Sequence, residues 1–356
     1  MSESARILIV KLSAMGDVVH ALAAAAYLRK SAPGATIDWA VDTRFAGIVE
    51  GHPAVDGVVP LDIKAWKTRW SEEKTRREVI GAIRGLRSAR YDVAFDLQGN
   101  VKSGVVTLLS GAPVRVGFPK EIVREKPNLL CTNRHVPHDP SDRHITHRLL
   151  RLVSAPFGGT FAPEEARPSL PVPETARLAA AGRLAEALPG ATRFVALHAG
   201  TTWATKRMDP AFWAAVIVQL RDLSPGLGAA LSWGSEAERV EAELIRSLAG
   251  GRVALLPRLG YPELAAAYAA CGYMIGPDCG PLHLAAAAGA STVSVFRSTI
   301  PECVAPEGAR HRAIRAPQPC FGCMIRGSKS CPRDAACRES IPPAEVAGTM
   351  KELMTW

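Results

Sequence analysis

Short apolar runs rich in β-branched residues alternate with helix-length segments through almost the whole chain, and the series runs twice. The first series is "RILIVKL", "ATIDWAVD", "YDVAFDLQG" and "VRVGF"; the second is "RFVALHAG", "GAALSWG", "VALL", "YMIGPD" and "STVSVF". Runs without polar alternation suit strands buried on both faces of a parallel sheet covered by helices. Segments such as "DVVHALAAAAYLRKSA", "EEKTRREVIGAIRGLRSA", "KSGVVTLLSGA", "PAFWAAVIVQLRD" and "AERVEAELIRSLA" supply those helices. Between the two series lies the proline-rich "FAPEEARPSLPVPE", which reads as a linker. The expected fold is α/β: two Rossmann-like doubly wound lobes, residues 1–170 and 171–340. Residues 341–356 read as a C-terminal helix that could cross back to the first lobe. Ligands of such sheets bind outside the carboxyl ends of the strands, so the post-strand turns, facing an interdomain cleft, are where chemistry is expected.

The 356 residues are 47% hydrophobic, enough for two cores. No apolar run approaches the roughly 20 residues that span a bilayer. The short "ILIV" before Lys11 lacks the pattern of a signal peptide, so the cytoplasm is the expected compartment. A formal charge of +9 points to an acidic partner, either a nucleotide or an anionic membrane surface. The basic residues are scattered and no nucleic-acid-binding signature is present, so nucleic acid is not expected.

The first lobe's turn, "KLSAMGD", has no G-x-G-x-x-G, which disfavours a dinucleotide there. Asp17 in this turn can cap the following helix or stand at the strand's edge as a general base. In "HAGTTWATKRMD", Thr201, Thr202 and Lys206 suit a diphosphate, and equally a polar turn with a solvated lysine. Glu236 in "WGSEAE" can accept from ribose hydroxyls or cap a helix. In "GPDCGPLHLAAAAG", Pro281 marks a first helical turn whose free N–H groups suit a phosphate. Asp278 there can bind sugar hydroxyls, and His283 lies one turn in. His135, His138, His144 and His147, in and after a Pro/Asp-rich loop, read as structural.

Taken in order, "VKLSAMGDVVHALAA", "DLQGNVKSG", "HAGTTWATKRMDPAFW", "WGSEAE" and "GPDCGPLHLAAAAGA" resemble the motifs of a known family. It is the ADP-heptose:lipopolysaccharide heptosyltransferases of glycosyltransferase family 9. "IDWAVDTRFAGIV" and "IKAWKTRW" bring the first lobe closest to the heptosyltransferase I branch. The resemblance implies a GT-B fold with an acceptor lobe first and an ADP-heptose lobe second. It implies inverting heptose transfer to the Kdo–lipid A inner core of lipopolysaccharide, with Asp17 as general base and no cofactor required for catalysis. Thr201, Thr202 and Lys206 fall on donor diphosphate contacts, and Glu236 on the ribose contact. Leu259 falls on the adenine contact, Asp278 on the heptose contact, Gly280 on the phosphate-binding glycine, and His283 on that motif's histidine. Cys279 replaces the usual Thr or Ser, and a thiol is a weaker donor than a hydroxyl. The alternatives are another acceptor (a second heptose or a protein side chain) or a nucleotide-sugar-binding protein without catalysis.

On the acceptor side the expected contacts are Ser13, Gly16, Gln98 and Arg124, with Lys64, Lys67 and Arg69 of "DIKAWKTRW". By composition that last stretch is a solvated amphipathic segment. By resemblance it meets an acidic glycolipid, and Trp66 and Trp70 suit an interface. A peripheral enzyme at the inner face of the cytoplasmic membrane follows, with a monomer favoured. Finally, "CFGCMIRGSKSCPRDAAC" places Cys320, Cys323, Cys331 and Cys337 at C-x2-C-x7-C-x5-C, a spacing that suits a structural Zn or Fe.

Overall fold

Both apolar series form six-stranded sheets, and every strand pair in them is parallel. The computed structural model describes residues 4–354, apart from the side chain of Ser328. The first three and last two residues of the expected domains lie outside the described residues. The chain divides into two units, Met1–Pro168 and Ser169–Trp356.

The first unit's strands are β1 (Arg6–Val10), β2 (Thr36–Asp42), β3 (Gly57–Leu61), β4 (Val93–Asp96), β5 (Val114–Gly117) and β6 (Arg134–His135). Their spatial order is β3-β2-β1-β4-β5-β6. Central β1 pairs Ile7 with Ile37 and Val93, and Ile9 with Trp39 and Phe95. Ile7, Ile9, Ile37, Trp39 and Phe95 are completely buried, as the absence of polar alternation requires. Helix Met15–Ser31 buries Val18 to Ala25 continuously, so it is a central helix rather than a surface one. The proline-rich stretch is tied to this unit. Tyr27 donates to the Thr160 carbonyl at 2.9 Å and Lys30 pairs with Glu165 at 2.6 Å.

The second unit holds β7 (Arg193–Leu197), β8 (Leu227–Leu231), β9 (Val253–Leu255), β10 (Tyr273–Pro277), β11 (Ser291–Phe296) and β12 (His311–Arg315). Their order is β12-β11-β10-β7-β8-β9. Gly276 brings β10 against β7: a Cβ there would stand 2.8 Å from the His198 carbonyl oxygen. The last helix, Pro343–Leu353, buries Val346, Ala347, Met350 and Leu353 in the second unit's core and packs on helix Pro210–Leu223. Its apolar face is therefore spent within the second unit.

Each strand order reverses direction at one place, β1/β4 in the first unit and β7/β10 in the second. At such a switch point the outgoing connections diverge to opposite faces and leave a crevice at the carboxyl ends. The turns that hold Ser13, Asp17, Gln98, Thr201, Lys206 and Asp278 follow these four strands, while Glu236 and Leu259 follow β8 and β9.

Candidate active site

In the first unit the turn after β1 is pinned to the turn after β4. Gln98 Oε1 accepts from the backbone N–H of Leu12 (2.7 Å) and of Ser13 (3.0 Å), and Gln98 Nε2 reaches Ser13 Oγ at 3.5 Å. Gln98 is buried, so its position is that of a brace across the switch point, and its amide oxygen is already used. Asp96, completely buried, carries the next layer. It accepts from the Gln98 and Gly99 N–H groups, Ser103 Oγ (2.9 Å) and Asn128 Nδ2 (2.6 Å). Burial still pushes its carboxyl above the ordinary range.

Asp17 is the third residue of helix Met15–Ser31, and its Oδ2 accepts from the Ala14 N–H at 3.2 Å. Of the two readings of this turn, the helix-entry role is therefore taken by Asp17. Position N3 is where a side chain can reach back to the N-cap amide. That contact engages one carboxylate oxygen of a half-buried group at the carboxyl end of β1. Gly16 precedes it in the same turn. Beneath lies Lys11, buried, with Nζ donating to the Leu97 carbonyl at 2.8 Å. Burial lowers the Lys11 pKa, while the charges of Asp17 and Asp96 raise it and that of Arg124 lowers it further. Exposed Arg124 thus belongs to the same neighbourhood as Lys11 and Asp17. Lys64, Lys67 and Arg69 stand apart on and just past the short helix Ile63–Thr68, which Asp62 caps through the Ala65 N–H (2.9 Å). All three are exposed; Trp66 packs on the core and Trp70 is 57% exposed.

In the second unit Asp278, just after β10, is the hub. Lys206 Nζ and Thr299 Oγ1 both approach its Oδ2, at 2.6 and 2.7 Å, and His283 Nε2 lies 3.3 Å from its Oδ1. Burial by itself would push this carboxyl up. The His283 hydrogen bond and the Lys206 charge outweigh it and hold the group well below the usual carboxylate range. Thr201 closes the switch point by donating to the Asp278 carbonyl at 3.3 Å. Exposed Thr202 follows Thr201. Cys279 is the N-cap of helix Gly280–Ala287 and makes no side-chain cap hydrogen bond. Burial pushes its thiol up to about 12, against a smaller lowering by the Leu282 backbone N–H, so it stays neutral. Gly280 opens that helix and Pro281 follows, so the first turn offers backbone N–H groups near Lys206 and Thr201.

Glu236 is exposed in the first turn of helix Glu236–Ala249 and pairs with Arg239 at 2.5 Å. The capping alternative is filled by its neighbours. Ser235 accepts from the Glu238 N–H (3.3 Å), and Glu238 Oε2 accepts from Gly234 (2.8 Å) and Ser235 (3.0 Å). Leu259 lies half-buried in the β9 exit loop, before helix Tyr261–Cys271.

The glycosyltransferase family 9 (heptosyltransferase) profile matches residues 79–332. This chain belongs to glycosyltransferase family 9. The chain is 32% identical over 323 residues to lipopolysaccharide heptosyltransferase 1 of Pseudomonas aeruginosa, covering 90% of this chain and 86% of that one. It is 30% identical over 318 residues to lipopolysaccharide heptosyltransferase 1 of Escherichia coli, covering 88% and 94%. Among solved structures it is similar to the E. coli heptosyltransferase WaaC with ADP, at TM-score 0.77 and 26% identity over 98% of this chain and 99% of that one. The family 9 enzyme is a glycosyltransferase with the GT-B fold. No described helix is long and apolar enough to cross a membrane.

Of the residues the sequence singles out, Thr201, Lys206, Asp278, Cys279, Gly280 and His283 come together in this second-unit turn cluster. The sequence does not single out Thr299, Lys11, Asp96 or Glu238. Thr299, Lys11 and Asp96 reach partners on another strand's exit or a distant loop, which no local spacing reports, whereas Glu238 closes the local S-x-x-E capping box that Ser235 begins. The four clustered cysteines line one cavity with Thr205, Arg297, Ser298, Gln318, Phe321 and Asp334. No three of the sulfurs lie within 4.8 Å of one another. Arg297 is buried there; it donates to the carbonyls of Arg207 and Asp334 and to Asp334 Oδ1, and its Nε has no hydrogen-bond partner among the described residues.

Proposed function

We propose that this enzyme transfers heptose from ADP-heptose to the Kdo–lipid A inner core of lipopolysaccharide, with inversion at the anomeric carbon. The observation that carries the donor half is the Lys206–Asp278–His283–Thr299 hub beside Thr201 and the N-terminus of helix Gly280–Ala287. The relatives named as lipopolysaccharide heptosyltransferases, and WaaC with ADP, supply the substrate class. In this reading Lys206, the threonine hydroxyls and the helix N–H groups take the diphosphate and stabilise charge as ADP leaves. Asp278, kept ionised, accepts from heptose hydroxyls. Glu236 holds the ribose and Leu259 the adenine.

Asp17 takes the proton from the acceptor hydroxyl as that oxygen attacks the anomeric carbon and the carbon–phosphate oxygen bond breaks. Helix-entry and base roles are compatible, because the Ala14 contact uses Oδ2 and orients Oδ1. Ser13, Gly16 and Arg124 line the acceptor side. Gln98 serves it by fixing the turn. Lys64, Lys67 and Arg69 meet the acidic glycolipid and the anionic membrane surface.

The cysteine cluster puts four soft thiols around one cavity, the donor type that Zn and Fe take, and a shared ion would draw the sulfurs closer than they stand here. Buried Arg297 would offset the charge of a tetrathiolate site. We assign Cys320, Cys323, Cys331 and Cys337 a structural metal, and no catalytic step passes through it.

The test is mass spectrometry of the product formed from ADP-heptose and Kdo–lipid A by wild type and Asp17→Asn. The expected result is a product one heptose heavier, formed at least 100-fold more slowly by the variant. Full activity in the variant would remove Asp17 as base. Product only with another acceptor would move the chain to a different branch. Absence of transfer with intact ADP binding would favour a binding protein.

A further inference from the structure

The cysteine-rich segment carries a residue that the donor assignment above does not use. Lys206 Nζ lies 4.5 Å from the centroid of the Trp203 ring, and the Arg326 guanidinium carbon lies 4.8 Å from the same centroid. Two cations thus converge on one half-buried indole in the turn after β7, within the reach of a cation–π contact. They are not equivalent. Lys206 is neutralised by Asp278 at 2.6 Å, whereas Arg326 is exposed and has no carboxylate partner among the described residues.

The backbone on the N-terminal side of Arg326 is tied down. Thr205, in the turn itself, donates through Oγ1 to the Ile325 carbonyl, and the Met324 N–H donates to the Ser298 carbonyl at 2.9 Å. Met324 takes a left-handed φ of 57°, rare for a non-glycine residue and sustained where surrounding contacts over-determine it. At Gly322 a Cβ would stand 2.7 Å from Ile300 Cγ1, so the segment lies directly on the loop after β11. Arg326 is therefore delivered to Trp203 by a segment hydrogen-bonded to both neighbouring loops.

Charge decides what this arrangement can hold. Lys206 and Asp278 cancel, so they offer a diphosphate hydrogen bonds but little net positive charge. Arg326 brings an uncompensated cation whose planar fork can donate to two phosphate oxygens at once. We infer that Arg326, carried by the cysteine-rich segment and stacked on Trp203, is a further donor-binding residue of this enzyme that takes the diphosphate of the nucleotide sugar. The inference rests on the donor reading above, and it makes the cysteine-rich segment one wall of the donor subsite.

The experiment is isothermal titration of the full chain with ADP and with adenosine, for wild type, Lys206→Ala, Arg326→Ala and Arg326→Lys. Arg326→Ala is expected to weaken ADP about tenfold and leave adenosine within twofold, because only the diphosphate meets the guanidinium. Arg326→Lys should recover part of the loss by restoring charge without the fork. Unchanged melting temperatures would show that the effect is not unfolding. If Lys206→Ala weakens ADP while Arg326→Ala does not, the role of Arg326 is overturned and the donor reading stands. If wild type fails to bind ADP, or Lys206→Ala binds it normally, the donor reading falls and this inference with it. An equal loss of adenosine and ADP in Arg326→Ala would also overturn it.

Discussion

At the scale of single residues, the second-unit hub joins stability to function. Asp278 is 7% and Lys206 13% exposed, so removing the carboxylate strands a nearly buried ammonium. Breaking one side of such a pair costs on the order of 3 kcal/mol. The folded pKa of Asp278 is depressed, so its contribution is complete above the unfolded value of about 4 and fades as pH falls below it. Urea denaturation should find Asp278→Asn less stable than wild type by roughly that amount at pH 7. The gap should narrow steadily at pH values below about 4. A gap that stays constant with pH would mean that charge is not what Asp278 contributes. The sequence displayed Asp278 through the small-residue turn between an apolar strand and Pro281. It did not display Thr299, because the Thr299–Asp278 hydrogen bond joins two strand exits across a whole helix and strand of intervening chain.

Among elements, the central strands are legible in the sequence, and of the four edge strands only β9, "VALL", is. β1, β4, β7, β10 and β11 are apolar runs because helices cover both their faces. β3, at one edge, contains Pro60, which cannot donate to a ladder. β12, at another edge, is "HRAIR", and β6 is only two residues long. An edge strand is half paired and partly solvated, so its composition carries little strand signal. The cysteine-rich segment is legible as a spacing, and its docking on the Thr205 turn is not. If it holds a metal, purified chain should contain close to one equivalent of Zn or Fe by elemental analysis. Cys320→Ser with Cys323→Ser should contain less than a tenth of that. Metal-free wild type would leave the four thiols without that role.

At the scale of the whole molecule, repetition of the strand–turn–helix pattern made two sheets readable, and both orders turn about a single switch point. The formal charge of +9 is likewise readable, but where that charge gathers is a property of the folded surface. Helix Ile63–Thr68 and its exit expose Lys64, Lys67, Arg69 and Trp70. If this face meets an anionic membrane, binding to vesicles containing anionic lipid should weaken several-fold as ionic strength rises from about 0.05 to 0.3 M. Lys64→Glu with Lys67→Glu should abolish most of the low-salt binding, read by sedimentation. Binding indifferent to salt and to these substitutions would remove electrostatic attraction from the account. Gly276 has a different kind of consequence. Because a side chain there would collide with the His198 carbonyl oxygen, the close approach of β10 to the turn after β7 is reserved for glycine. If the crevice above it takes the donor, as proposed, the floor is closed to change by side chains. Drift toward another sugar nucleotide would then be expected at the rim, at Thr202, Leu259 or Arg326, where side chains can change without moving a strand.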